Sequence, residues 1–285
     1  MALRIFIILS AMLLSGCSLD SILYDPPLTA QTWCANRPCS PVQFGPFNFV
    51  LSEPTSSLLV YLLTAQTIWA AYYFWSKANG RKTMQWWGVQ LLLGGIAAFF
   101  AGTSYQAFGY ELKCAGREAC IWTNWLEVTY NVLTVLSINA LMVAVSYSSA
   151  QGKLRGAMRS FAVFSALVYF VVAMYGAGTA NKFLISFEFM VLFLMPNYLT
   201  FIVLNSYRYI RYRDAAELAL LSVWASLFAV IGIYFYYMFQ GYTQVLWAKG
   251  IWFSENDVLH VGMVLWIAYA PWVLGKRLKD LPASK

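Results

Sequence analysis

Seven apolar runs, each long enough to cross a bilayer, constrain this chain more than any other feature: 57–76, 84–108, 121–147, 160–178, 183–205, 215–240 and 257–274. An α-helix needs about 20 apolar residues to span the hydrocarbon core. Inside lipid every backbone N–H and C=O must be satisfied within the protein, so a single apolar run enters as a helix. The expected fold is therefore all-α, a seven-transmembrane helix bundle. Only 11% of the 285 residues are charged, against about 25% in a soluble domain, and the spans with their loops leave no room for a separate soluble domain.

Orientation follows from the basic residues between the runs. Lys77, Arg81, Lys82, Lys153, Arg155, Arg159, Arg208, Arg211, Arg213, Lys276, Arg277, Lys279 and Lys285 fall in alternate breaks and the tail. The opposite breaks hold only Arg37, Lys113, Arg117, Lys182 and Lys249. Basic residues concentrate on the cytoplasmic side, so the N-terminus is expected in the periplasm and the C-terminus in the cytoplasm. The same distribution explains the net charge of +7 without nucleic acid, since no basic stripe with interleaved aromatics is present.

The first residues agree. Arg4 followed by the apolar stretch 5–14 reads as a signal peptide, too short to span. Leu14-Ser15-Gly16-Cys17 looks like a bacterial lipobox, which implies lipidation at Cys17 and a multi-pass protein of the bacterial inner membrane. The expected organisation is a signal peptide over 1–17, an extended periplasmic segment over 18–56, a seven-helix membrane domain over 57–275 and a basic cytoplasmic tail over 276–285. Cys34, Cys39, Cys114 and Cys120 all fall in segments assigned to the oxidising side, where disulfides persist. Four cysteines allow three pairings; Cys34–Cys39 and Cys114–Cys120 are expected because each closes a short local loop. A four-thiolate zinc site is the alternative, although the spacings are not those of zinc knuckles.

Ionisable groups within spans are costly and mark sites by default. The polar residues gather at the periplasmic ends: Ser104 and Gln106 late in the second run, Asn124, Glu127 and Asn131 on one face of the third, Glu188 in the fifth, and Glu255, Asn256, Asp257 and His260 opening the seventh. Residues three and four apart share a helix face, so Asn256 and Asp257 can converge with His260. A polar cavity open to the periplasm is expected there. Each residue also has a structural reading: Asp257 as a helix cap, the asparagines as interhelical hydrogen-bond partners, His260 as a buried donor.

Three stretches carry a resemblance to a known superfamily. They are Glu53-Pro54-x-Ser56, Ala101-Gly102-Thr103-Ser104-Tyr105-Gln106-Ala107-Phe108, and Phe253-Ser254-Glu255-Asn256-Asp257-x-x-His260. With the seven-helix layout over about residues 50–275, they resemble the CREST superfamily of alkaline ceramidases and progestin and adiponectin receptors. The resemblance implies a zinc held by three histidines, whose bound water attacks a lipid amide or ester. Carried over by position, those ligands are Gln106, Asn256 and His260, so two imidazoles are replaced by amides, which are poor zinc ligands. A rebuilt set of His260, Glu127 and Asp257 has the chemistry to bind zinc or another divalent metal and to act as ligands or proton acceptors. Gln106, Asn256, Ser104 and Asn131 would then orient substrate or water.

Two functions follow. The favoured one, because the chain has a single histidine, is a non-catalytic binding, scaffold or complex subunit with membrane lipids around it and a protein partner on its periplasmic N-terminal segment. The alternative is a metal-dependent intramembrane hydrolase of lipid amides or esters. A retinal protein is excluded, since the seventh run has no lysine before Lys276; P-loop, GxSxG and HExxH motifs are absent.

Overall fold

The computed structural model describes residues 18–35 and 37–282; the signal-peptide and lipidation readings, Cys17 included, lie outside them. Among the described residues seven helices are long and apolar enough to span: α1 (Pro54–Ser76), α2 (Lys82–Ala107), α3 (Trp125–Ser149), α4 (Gly152–Gly178), α5 (Phe187–Tyr212), α6 (Ala215–Phe239) and α7 (Glu255–Leu274). α2 is regular to Ala101 and finishes in a wider π-helical turn, Gly102–Ala107. Four of these helices begin on sequence-local caps: Asn124 accepts from two backbone N–H groups of α3, Ser186 from Phe189 in α5, Asp214 from Ala216 in α6, and Ser254 forms a capping box with Asp257 at α7. Such side chains satisfy donors that the first helical turn leaves unpaired.

The helices form a ring. α1 lies between α2 and α7, and α6 between α5 and α7. α3 packs on α2, α4 and α5 and is the most enclosed span, with 61% of its apolar window buried against 22% for α5 and α6. Gly102 permits a close approach of α1 and α2, since a Cβ there would come within 2.2 Å of the Val60 side chain. The dense core sits in one half of the bundle. Phe74 stacks on Trp87 at 5.5 Å, Trp87 on Trp224 at 6.0 Å, and Phe201 on Trp224 at 5.2 Å, joining α1, α2, α6 and α5. Stacked pairs of this kind contribute about 0.5–1.5 kcal/mol each beyond their area. After Trp224 no residue of α6 is buried, so the other half of the ring is looser.

That looser end carries a folded cap. The segment expected to be merely extended contains a short helix, Ala30–Trp33, and an antiparallel hairpin, β1 (Cys39–Phe44) with β2 (Phe47–Ser52). Gly45 takes φ +57°, as the first position of a two-residue hairpin loop can require. Two disulfides brace the cap, Cys34–Cys39 and Cys114–Cys120, paired as the local loops suggested. Residues 22–28 run along the second loop: Trp122 N–H donates to Ile22 O at 2.7 Å and Cys120 N–H to Leu28 O at 2.8 Å. This is the hairpin end. The C-terminal segment lies at the other, the tail end.

Candidate functional site

The π-helical turn of α2, the first turn of α3 and the short helix Gly109–Lys113 converge on Glu127. Its carboxylate is buried, forms an ion pair with Lys113, and accepts from Ser104 Oγ at 2.8 Å. Asn124 Nδ2 donates to Ser104 Oγ at 2.7 Å. Lys113 is 2% exposed; its ammonium also donates to Trp122 O at 3.1 Å and stands 5.0 Å from the Tyr105 ring. A carboxylate and an ammonium inside low-dielectric surroundings are tolerable only when paired and hydrogen-bonded, and here both are.

Asp257, in the first turn of α7, is held separately. Ser56 Oγ of α1 donates to its Oδ1 at 2.9 Å and Ser254 N–H to its Oδ2 at 2.6 Å. It is therefore both a capping-box residue and a link from α7 to α1. Glu53 lies alongside, at the turn from β2 into α1, with φ 44°. Arg37 Nη1 stands 3.8 Å from one oxygen of Glu53, while the other has no hydrogen-bond partner. Burial pushes the Glu53 carboxyl up to about 7, against the opposing pull of Arg37 and with a further push from Asp257 and Glu255. A narrow crevice lined by Pro38, Glu53, Thr55, Ser56, Trp247, Trp252 and Asp257 opens here. Glu255 is engaged by Thr243 of the short helix Tyr242–Ala248.

The remaining expected residues are dispersed. His260 is half-buried on α7, and its Nδ1 has no hydrogen-bond partner. Gln106 is buried with Oε1 unpartnered, Asn256 lies beside Glu53 and favours its ionised form, and Asn131 donates to Ile185 O at 2.9 Å, tying α3 to the α4–α5 connection. Glu188 is exposed. The set of His260, Glu127 and Asp257 does not come together: among the described residues no group of three or more His, Cys, Asp or Glu is placed to hold a metal ion. Each carboxylate is instead consumed by a different neighbour, Lys113 for one and Ser56 with Ser254 for the other.

Nothing matches. Comparison with protein-family models, with curated proteins and with solved structures returns no similar protein.

Polarity is not confined to the hairpin end. Near the tail end Glu217 of α6 is 2% exposed, and its carboxylate pairs with Arg208 at 2.5 Å. It also accepts from Asn205 at 2.7 Å and from Ser149 at 3.1 Å, while Trp224 Nε1 donates to Asn205 Oδ1 at 2.9 Å. The expectation of polar groups at one level only is thus corrected. The signal was an acidic residue three positions into an apolar run, with Arg208 just across the preceding break. Lys113 was passed over for a comparable reason. Counted as a loop charge, it belongs to a short helix that carries it under the cap.

Proposed function

We propose that this multi-pass membrane protein is a non-catalytic binding or scaffold subunit, with its hairpin end in the periplasm and its tail end in the cytoplasm of a bacterial inner membrane. The observation that carries the reading is the fate of the two carboxylates. Glu127 is neutralised by Lys113 and Ser104, and Asp257 is committed to capping α7 and joining it to α1. Neither is left free to ligate a metal or take a proton from water, and His260 alone does not make a hydrolytic centre. In the ceramidase-like layout suggested by the sequence, two of the three zinc-ligand positions would hold amides, Gln106 and Asn256, and only His260 would remain. The orientation is supported by the thirteen-to-five distribution of basic residues and by two disulfides at the same end. The disulfide-braced cap of residues 18–52 is the face offered to a protein partner.

Elemental analysis of protein purified in mild detergent tests the reading directly. It should find no near-stoichiometric divalent metal, and a partner from the native membrane should crosslink to residues 18–52. Metal at about one per chain, together with lipid-amide hydrolysis abolished in His260→Ala, would overturn it in favour of the hydrolase.

A further inference from the structure

The hairpin has two unlike faces. Its register places Val42 opposite Phe49 and Phe44 opposite Phe47, and directly paired residues of a sheet share a face. One face is therefore apolar throughout these pairs. The other carries Gln43 opposite Asn48. No charged residue occurs from Pro38 to Ser52.

The apolar face is covered at its base and bare at its tip. Phe49 meets Phe108, the residue that follows the α2 span, with ring centroids 5.3 Å apart. Glu111 accepts from Val50 N–H at 2.8 Å and pins the β2 backbone to the same short helix that carries Lys113. Beyond this contact Phe44 is 77% exposed and Phe47 66%. β2 passes into α1 through the single residue Glu53, and on these two helices Leu58 of α1 is 71% exposed and Phe99 of α2 47%.

We propose that the hairpin tip is a membrane-interface anchor, with Phe44 and Phe47 seated in the lipid leaflet at the hairpin end. Three observations select lipid as the occupant. The exposed rings continue an apolar face already seated on the end of a spanning helix. β2 is joined to the α1 span by Glu53 alone, which keeps the hairpin at the end of the membrane-spanning region. The strand carries no charge that would resist entry, and interfacial aromatic rings are a normal feature of membrane proteins. The inference needs only the membrane-spanning fold and is independent of the binding role proposed above.

Spin labels test it in the full chain, in a Cys17→Ser background reconstituted into nanodiscs of phosphatidylethanolamine and phosphatidylglycerol. Labels are placed separately at Phe47→Cys and Asn48→Cys, on opposite faces. The ratio of collisions with oxygen to collisions with a water-soluble nickel chelate should be several-fold higher at position 47. Equal ratios would overturn the proposal. So would a label at 47 that is water-exposed in nanodiscs but shielded in native membranes, which would assign the tip to a protein. The double variant Phe44→Ser/Phe47→Ser, which alters only exposed side chains, should fold as the parent does but release the hairpin. A label at position 48 would then gain mobility in bilayers.

Discussion

At the hairpin end, order comes from covalent links and a buried ion pair under a cap; at the tail end it comes from a polar network and a strap of backbone contacts. The first has Cys34–Cys39 and Cys114–Cys120 around the Lys113–Glu127 pair. The second has Glu217 with Arg208, Asn205 and Ser149, and a C-terminal segment folded back over the loops. There Asp280 accepts from Lys82 N–H at 2.7 Å and Thr83 N–H at 2.8 Å, capping α2 from 198 and 197 residues away. Arg155 reaches Leu281 O at 2.8 Å, and Leu281 N–H reaches Tyr147 O at 2.9 Å. The dense core lies towards the tail end, where packing can align such non-covalent groups. The looser end has fewer buried contacts to do this, and covalent bracing takes their place.

The sharpest way to break the contrast is Lys113→Met, which leaves Glu127 buried without its cation. Thermal unfolding in detergent should show a loss of about 3–5 kcal/mol. The double variant Lys113→Met/Glu127→Leu should recover most of it; a double variant as unstable as the single would mean that the pair is not what holds this end.

Next is the pH response of Glu53. An unfolded carboxyl ionises near 4.5, whereas the folded one holds its proton to about 7. The folded state therefore binds the proton more tightly, and stability falls as pH rises from about 4.5 to about 7, then levels. The ceiling for this 2.5-unit difference is about 3 kcal/mol. Glu53→Gln should flatten the profile across that window, and an unchanged slope would assign the dependence elsewhere.

Removing the second disulfide, by Cys114→Ser with Cys120→Ser, should cost about 2 kcal/mol on loop-closure grounds. Hydrogen exchange should accelerate over residues 22–33 while the Glu217 network stays protected. Equal acceleration at both ends would dissolve the comparison. The smallest effect is expected from Asp280→Ala, about 1 kcal/mol for a lost helix cap, with the loss confined to the start of α2 and reduced in high salt.

The sequence made some of this legible and hid the rest for definable reasons. Apolar length announces each span on its own, and a cysteine pair five or six residues apart closes locally, so seven helices and two bridges could be read directly. The hairpin was visible in principle, in the alternation of Val42, Phe44, Phe47, Phe49 and Leu51 about Gly45-Pro46, but the proline and serine content masked it. Helix periodicity showed that Glu127 and Asp257 face inwards, yet their partners depend on how distant segments meet. Ser56 and Asp257 are 201 residues apart, and no local pattern reports that. Read from one end of the pattern, two carboxylates and a histidine looked like a centre; in three dimensions each carboxylate has its own counterpart.

The strap also bears on the order in which the protein is completed. α2 is among the first helices made, but its terminal cap is Asp280, near the end of the chain. Its leading amides must stay bare, or bonded to water, while five further spans are threaded. A reporter fused directly behind Pro282 would compete for the same landing place. Fusions used to map topology therefore need a spacer if they are to report on the finished fold.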